Sequence, residues 1–557
     1  MRDPVGRAVS PGVANVMARL LIAIAAVALA YHQSLGALFS DWRYQTPLSE
    51  LALVPPLAAG LLVLASLRHR HVGKIRLGRV DFAVAGTLLA LVLLLAVLAP
   101  VVYTNYVWPM RLDLLTLPLA ASATCVLLFG TRSLLAFAFP LGFLFLAWPL
   151  PHSILVEHLT TGFTSWTAGA VTAVVNVVPL AEAIPASGNS RFAVTHEGNE
   201  FVLSVGSACS GVNSLIGFLI VGTACLYLIR GKLGRRLLWL ASGLALVWLF
   251  NVLRILAIFA VGRLFGEGAA IDVIHPVAGL IALNAAFLIL LLLVRRYGLV
   301  FRGLADRANS GTPLSDPAPV SERPTNRLIL SRLAVLVPAA LVLALANSQL
   351  ALSATTFDNA GLPKLQRFAA HPVVGSHWRV QRTRELPWAR VHFGDDATWV
   401  RYRINARREP SKRFTAWADS IVTPDLGALH AFPTRDCYDL HDFAVSLAQR
   451  VDIAGVVGQL LVFTDGKGLR WHALTWQWPV RDEDRSIAHE RITLLASSLA
   501  RPAQARPPPR ATGVRDAVLS AFNLLDPDRD TNPSVSHALE NLAADMIAER
   551  LAHGEAA

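Results

Sequence analysis

Residues 237–260 have the sequence LLWLASGLALVWLFNVLRILAIFA, in which Arg254 is the only charged side chain. A helix of about 20 consecutive apolar residues spans the hydrocarbon core of a bilayer. This run is long enough to cross a membrane and therefore predicts an integral membrane protein. An arginine within such a run is costly to insert, so its presence calls for a functional or structural reason.

Eight further apolar runs accompany this one, and together they predict a polytopic helical bundle. The nine predicted spans are residues 20–38, 51–67, 81–103, 113–129, 134–149, 211–229, 237–260, 274–294 and 328–346. The chain is 54% hydrophobic and only 16% charged, whereas soluble domains carry about 25% charged residues. We therefore predict an all-α membrane bundle of about eight core helices plus one further span, followed by a soluble α+β extracytoplasmic domain.

Basic residues concentrate in the short segments between the predicted spans, and this sets the predicted orientation. They lie in residues 68–79, 230–236 and 295–302 and at Arg132, and they contribute to a net charge of +12. Cytoplasmic loops carry the excess of Lys and Arg, so we expect a cytoplasmic N-terminus, an inner-membrane location and a periplasmic C-terminal domain. Residues 154–178 must then not cross the membrane, and their interleaved polar side chains suit an amphipathic helix on the outer surface. No basic nucleic-acid-binding module is recognisable, which disfavours that class of function.

Shifts in composition divide the chain into five predicted parts. These are a membrane domain at 1–300, a cytoplasmic linker at 301–327, an additional span at 328–346, an extracytoplasmic α+β domain at 347–500, and a Pro-rich break with a polar helical tail at 501–557. Alternating polar and apolar residues predict a hairpin at 191–204, around Gly198-Asn199, and a strand at 398–404. Residues 460–463 and 469–474 flank Asp465-Gly466-Lys467-Gly468, which predicts a second hairpin.

Three polar residues next to or inside the predicted spans carry the candidate chemistry. Cys209 lies between the first hairpin and the sixth span, Arg254 lies in the outer part of the seventh, and His275 opens the eighth. Under the predicted orientation all three come near the outer membrane surface, although their identities played no part in deriving it. The CxxC spacing of a metal knuckle or redox pair is absent among the four cysteines, Cys125, Cys209, Cys225 and Cys437. We therefore expect no metal and no cofactor.

Each of these three residues also has an interpretation without chemistry. A lone cysteine is usually inert packing, an arginine near the end of a span can extend to lipid headgroups, and an interfacial histidine can simply be solvated. Together, however, they suit acyl transfer. A Cys209 thiolate would attack a carbonyl, Arg254 would offset the charge of the oxyanion, and His275 would protonate the leaving amine. Asn251, one turn before Arg254, is placed to hold the guanidinium.

Motifs between residues 140 and 293 follow one another in a recognisable order. They are Pro149-Leu150-Pro151, the Glu197-Gly198 hairpin, Ala208-Cys209-Ser210-Gly211, Asn251-x-x-Arg254-Ile255 and His275. This order resembles the exosortase/archaeosortase family of membrane cysteine proteases and transpeptidases. The resemblance implies that Cys209, Arg254 and His275 are catalytic, with Asn251, Ser210 and Asn213 as supporting residues. It also implies exported protein substrates with a C-terminal Pro-Glu-Pro-type sorting signal, a transmembrane helix in membrane lipid and a basic tail.

The chain departs from the family pattern in two places. Asn213 stands where many relatives carry a basic residue, which bears on substrate preference more than on chemistry. The chain also continues beyond the eighth span, where most relatives stop. Its residues 430–443, with Cys437-Tyr438, are faintly similar to a domain encoded beside or fused to exosortases in exopolysaccharide loci. Cys437 and His441 are a candidate second thiol site, although a lone cysteine in such a domain is more often buried or unpaired by chance.

Two other functions fit parts of the sequence. A non-enzymatic component of exopolysaccharide export or assembly would use the outer domain for binding and the bundle as an anchor. A membrane acyltransferase would use His275 instead of the thiol. Both alternatives predict that activity survives Cys209→Ala, whereas a cysteine protease or transpeptidase would lose it.

Overall fold

The protein divides into a helical unit, residues 1–96 and 111–345, and a second unit, residues 97–110 and 346–557. The computed structural model describes residues 11–44, 46, 49–68, 78–102, 111–184, 191–204, 212–301, 325–355, 359, 361–363, 365–386, 389–394, 396–406, 414–435, 444–464, 469–481, 487–497 and 533–554. Most of the predicted linker, the Pro-rich break, Cys437 and His441 lie outside these residues.

Eleven α-helices account for most of the described part of the helical unit. They are α1 Pro11–Ala30, α2 His32–Arg43, α3 Val54–Arg68, α4 Arg79–Val102, α5 Leu112–Phe129, α6 Ser133–Phe143, α7 Pro149–Val175, α8 Val212–Leu228, α9 Leu233–Phe265, α10 His275–Leu293 and α11 Thr325–Thr355. Five short strands belong to the same unit: β1 Glu182–Ala183, β2 Arg191–His196, β3 Asn199–Ser204, β4 Ile229–Arg230 and β5 Val300–Phe301. Single turns of 3-10 helix occupy Ser49–Leu53 and Leu144–Ala147, and a π-helical segment occupies Ala269–Ile274.

Several of these helices are long and apolar enough to cross a membrane. Among the described residues there are five, which are Ser49–Arg68, Arg79–Ala96, Leu112–Phe129, Leu233–Phe265 and Ser331–Ser348. They correspond to the predicted spans at 51–67, 81–103, 113–129, 237–260 and 328–346. The predictions at 134–149, 211–229 and 274–294 correspond to shorter apolar helices. The predicted kind of fold, a membrane helical part plus a sheet-containing domain, is confirmed.

The predicted span at 20–38 corresponds to a pair of helices with a sharp bend between them, and the pair is apolar enough to form one broken span. Helix α1 ends at Ala30 and α2 begins at His32, and the two helices are bent by 80°. The Tyr31 side chain at the break is fully buried, and its hydroxyl lies 2.8 Å from Thr116 Oγ1 in α5. A polar run, His32-Gln33-Ser34, follows directly. The chain thus turns at a buried residue that also makes a long-range polar contact.

The predictions at 134–149 and 154–178 fall on α6 and α7, whose bounds differ from the predicted ones. Helix α6 ends at Phe143, three residues after Pro140, and continues as a 3-10 turn. A proline in a helix removes a backbone hydrogen bond and favours such an early end. Residues 154–178 fall largely within α7, and their location on the outer membrane surface stays a prediction.

The basic segments meet at one end of the helical unit. The Arg68 guanidinium lies 5.2 Å from the centre of the Tyr227 ring near the end of α8. Two residues later Ile229 pairs with Phe301 in the β4–β5 ladder, so the ends of α3, α8 and α10 are neighbours. The segments that we assigned to one side of the membrane at 68–79, 230–236 and 295–302 thus begin or end at a common end of the unit.

Helix α11 is docked on the bundle by buried charges. The Arg332 side chain is 1% exposed and donates a hydrogen bond to the Leu127 carbonyl in the last turn of α5. Arg19 of α1 donates to the neighbouring Leu128 carbonyl at 3.4 Å, and Asp81 accepts from the Thr131 N–H at 2.7 Å. Cations are favourable at the carbonyl end of a helix. The additional span is therefore a packed member of the helical unit.

The second unit is built on an antiparallel sheet. Its strands are β6 Leu365–Gln366, β7 Trp378–Glu385, β8 Thr398–Ala406, β9 Thr415–Thr423, β10 Ala444–Ile453, β11 Val456–Thr464, β12 Arg470–Arg481 and β13 Ile487–Ser497. Seven of them follow the order β10-β11-β12-β13-β9-β8-β7, and β6 adds to β12 in parallel. Strand β8 confirms the strand predicted at 398–404, and the antiparallel β11–β12 pair confirms the second predicted hairpin. Short helices α12 Ala389–Phe393 and α13 Leu426–Ala431 and a long helix α14 Pro533–Gly554 complete the described unit.

Helix α14 differs from the polar tail that we predicted. Its fully buried side chains, which pack in one core with the sheet, are Leu539, Leu542, Ala543, Met546 and Ile547. A buried ion pair fastens it, because Arg550 Nη2 lies 3.2 Å from Glu490 Oε2 on β13. The other oxygen of Glu490 accepts from the Phe368 N–H at 2.8 Å and from the Ser420 hydroxyl at 2.7 Å. Burial of this apolar face makes α14 an integral element of the second unit.

Candidate active site

Helices α8, α9 and α10 pack closely around Gly243 in α9. A Cβ at this position would lie 2.6 Å from Leu290 Cδ2 of α10 and would also overlap the Phe218 ring of α8. The Trp239 indole N–H donates to the Leu290 carbonyl at 2.9 Å. Glycine permits this approach, which fixes how the three helices are aligned along their axes.

Arg254 lies further along the same contact between α9 and α10. Its guanidinium packs against Gly279, where an added Cβ would be 3.5 Å from Arg254 Cζ and 3.6 Å from Nε. Arg254 is eleven residues beyond Gly243, and Gly279 is eleven residues before Leu290. Both steps correspond to about 16 Å of helix rise. The two helices are therefore antiparallel and stay in register up to Arg254.

His275 is close to this contact along the backbone of α10. It is the first residue of the helix and precedes Gly279 by four residues. Residues four apart occupy the same face of an α-helix. The backbone of His275 thus lies one turn from the residue that touches the Arg254 guanidinium. Arg254 and His275 were predicted to lie close together, and their helices are in contact here.

Cys209 and Ser210 lie outside the described residues, but both ends of their connection are placed. Strand β3 ends at Ser204 and α8 begins at Val212, with Asn213 in its first turn. Leu240 of α9 would touch a Cβ on Gly222 of α8, one turn beyond Phe218, so these helices are also antiparallel. Extending this register puts Val212 level with residue 249, about 7 Å short of Arg254 along α9. The connection therefore enters α8 at the same end of the bundle as Arg254.

The first hairpin packs on this end of α9. Strands β2 and β3 pair from Arg191↔Ser204 to His196↔Asn199, which confirms the predicted hairpin. Glu197 and Gly198 both have positive φ, 47° and 83°, as a tight two-residue turn requires. The Phe192 and Phe259 rings are 5.1 Å apart. Strand β1, which was not predicted, extends β2 on its other side.

A second contact anchors the far end of the hairpin. The His196 ring nitrogen Nδ1 is 2.9 Å from the Arg263 carbonyl near the end of α9. An added Cβ at Gly262 would be 3.0 Å from the Phe201 ring and 3.3 Å from Ala270 Cβ. The hairpin is thus held against the end of α9, where Ala270 packs on the same glycine, and it delivers the chain toward Cys209 from this end.

Asn251 is the supporting residue that the structure describes best. Its side chain is 4% exposed and belongs to the buried face of α9, one turn before Arg254. Val252 and Ile255, on either side of this turn, pack into the hydrophobic cluster beneath the hairpin. That Asn251 orients the guanidinium stays a prediction.

Two residues close to these helices were not among the predicted site residues. Gly279 gives Arg254 its space, and a glycine inside an apolar helix, one turn after His275, was a usable signal because it lowers helix stability. Glu50 lies in the 3-10 turn before α3, and its Cγ would be 2.8 Å from a Cβ on Gly217 of α8. The sequence signal for Glu50 was a carboxyl group at the start of an apolar stretch. In the described part of the chain, no group of three or more His, Cys, Asp or Glu is arranged to hold a metal ion.

A family model described as transmembrane exosortase matches residues 15–292. The chain belongs to the transmembrane exosortase family. The matched region of this exosortase runs from α1 almost to the end of α10 and contains all of the predicted catalytic and supporting residues. Helix α11 and the second unit lie beyond it. Among curated proteins and solved structures, none matches the chain. Membership supports a membrane protease or transpeptidase role in general.

Proposed function

We propose that this exosortase is a membrane cysteine protease or transpeptidase that cleaves C-terminal sorting signals of the Pro-Glu-Pro type. The observation that carries the proposal is the packing of the Arg254 guanidinium on Gly279. This contact lies one helical turn from His275, at the end of the bundle where the connection containing Cys209 enters α8. A half-buried arginine at such a junction suits the stabilisation of a developing negative charge.

The reaction follows from the three residue types. The Cys209 thiolate forms a bond to the scissile carbonyl carbon, and the carbonyl oxygen becomes an oxyanion beside Arg254. The carbon–nitrogen bond then breaks, and His275 protonates the leaving amine. The resulting thioester on Cys209 is resolved by water or by another nucleophile, which regenerates the thiol. Asn251 holds the guanidinium, and Ser210 and Asn213 flank the nucleophile.

The proposed substrate is an exported protein in the same membrane. Its sorting motif precedes a transmembrane helix in membrane lipid and a basic tail, which places the scissile bond at the outer interface. The basic segments of the enzyme share one end of the helical unit, and the candidate site lies toward the other end of α9. With basic segments cytoplasmic, the site faces the periplasm of an inner membrane.

A reporter with matched cysteine variants tests the proposal. The reporter is a secreted domain carrying Pro-Glu-Pro, an apolar helix of about 20 residues and an Arg-rich tail, coexpressed with the full-length enzyme. Cys209→Ala should leave the reporter uncleaved at unchanged enzyme level, whereas Cys225→Ala, a cysteine within α8 itself, should process it. Full processing by Cys209→Ala would reject the mechanism. It would favour instead an acyltransferase using His275 or a non-enzymatic role in exopolysaccharide export or assembly.

A further inference from the structure

Strand β3 is an edge strand of the small sheet at the candidate site. The sheet order is β1-β2-β3, and among the described residues no strand pairs with the outer side of β3. Its last residue, Ser204, is five residues before Cys209. The edge therefore leads along the chain directly to the proposed nucleophile.

The register of the hairpin defines which backbone groups this edge presents. His196 and Asn199 flank the two-residue turn, so they exchange hydrogen bonds, and the bonded pairs then alternate along the ladder. Phe201 and Leu203 accordingly turn their N–H and C=O groups toward β2. Glu200, Val202 and Ser204 turn theirs outward. The edge thus offers three residues whose donors and acceptors match an extended peptide.

The two faces of β3 have different environments. The Phe201 ring lies against Gly262, and Leu203 packs with the cluster beneath the hairpin. Glu200 and Val202 lie on the opposite face, where Val202 is 51% exposed. A peptide added beside β3 would leave the packing on α9 intact.

The molecule protects another sheet edge but not this one. Strand β7, at one edge of the large sheet, carries a register irregularity between Arg382 and Arg384. It also exposes four charged side chains, at Arg379, Arg382, Arg384 and Glu385. Charges and bulges on edge strands prevent pairing with other chains. Strand β3 has a continuous register and one charged residue, Glu200.

We propose that the outer edge of β3 binds the extended segment of the substrate as an added strand and guides its scissile bond to Cys209. This inference rests on the proposed function. Peptide recognition by strand addition takes its affinity from main-chain hydrogen bonds. A Pro-Glu-Pro segment suits the edge in one register. In that register the backbone groups of the glutamate pair with β3, and the prolines, which lack an N–H, turn their backbone away from β3.

Val202→Pro removes one outward N–H while leaving the bonds to β2 in place. With the full-length enzyme in lipid vesicles and the purified reporter, we expect KM to rise about three- to tenfold, the effect of one lost hydrogen bond. We expect kcat to stay close to that of wild type. Val202→Ala keeps the N–H and trims the same side chain, so a rise in KM equal to that of Val202→Pro would also contradict the proposal. An unchanged KM for Val202→Pro, or a fall in kcat together with lost alkylation of Cys209, would overturn the proposal.

Disulfide trapping provides a second test that does not depend on the proline variant. Single cysteines at Glu200, Val202 or Phe201 are placed in a full-length chain whose four native cysteines are alanine, so that the substrate is not turned over. A reporter with one cysteine beside its motif should cross-link to positions 200 and 202 but not to position 201, which faces α9. Equal cross-linking at all three positions, or cross-links between two enzyme molecules instead of with the reporter, would contradict strand addition. Processing of the reporter by Cys209→Ala would refute the proposed function itself, whatever the result at the edge of β3.

Discussion

Gly279→Val should displace the Arg254 guanidinium and lower the rate of substrate cleavage about a hundredfold. A Cβ at residue 279 is 3.5 Å from Arg254 Cζ and 3.6 Å from Nε, which is ordinary van der Waals contact. The γ-methyl groups of valine extend about 1.5 Å beyond Cβ, and in a helix they are held largely to one rotamer. The guanidinium must then move by about 1 Å, and a misplacement of that size can cost about 10²-fold in rate.

Gly279→Ala is the matched control for this experiment. It adds only the Cβ, so the contact becomes tighter without overlap and cleavage should remain close to wild type. Both variants replace a glycine inside a helix, a change that by itself favours folding. Initial rates of reporter cleavage are measured at equal enzyme amounts alongside Arg254→Ala. Wild-type turnover by Gly279→Val, with turnover lost in Arg254→Ala, would refute the claim that this position of the guanidinium matters.

Three further predictions concern single side chains. Arg254→Ala should abolish reporter cleavage, while Arg254→Lys should retain a small fraction because an ammonium lacks the planar fork of a guanidinium; equal rates for Lys and Arg would exclude a planar contact. Arg550→Ala should lower the free energy of unfolding of the second unit by about 3–5 kcal/mol, since Glu490 stays buried without its cation. Denaturant unfolding followed by tryptophan fluorescence measures this, and a loss below about 1 kcal/mol would mean that the pair contributes no more than a surface one. Burial raises the pKa of Tyr402 to about 12, above the value of about 10 in an unfolded chain. The unfolded state therefore releases this proton first, and stability should fall as the pH rises from about 10 to 12; an unchanged decline in Tyr402→Phe would exclude this residue as its cause.

Hydropathy predicted the kind of fold because lipid exposure leaves its mark on every residue of a span. It did not predict the break at Tyr31, where the tyrosine hydroxyl contacts Thr116 of a helix far away in sequence. The burial of α14 was predictable in principle. Leu539, Leu542, Met546 and their buried neighbours recur at the spacing of one helical face, but the polar residues between them hid this periodicity.

The sequence names the residues of the candidate site but does not define its geometry. Cys209, Arg254 and His275 could be named from motif order and charge alone. The packing of Arg254 on Gly279 depends on how α9 and α10 are aligned, which is set by the close approach at Gly243. Such an approach is a tertiary property, and a single sequence contains only its trace, a glycine inside an apolar run.

Helix direction explains why this end of the bundle suits a reaction that passes through an anion. Helix α8 enters this end of the bundle at Val212, and the first turn of a helix carries partial positive charge on its N–H groups. Arg254 adds a full positive charge from the helix that runs the other way. Two sources of positive potential thus converge where the connection containing Cys209 ends. In surroundings of low dielectric such fixed charges act strongly on a thiolate and on an oxyanion. The convergence follows from antiparallel packing of α8 and α9, so it does not depend on how many spans precede them.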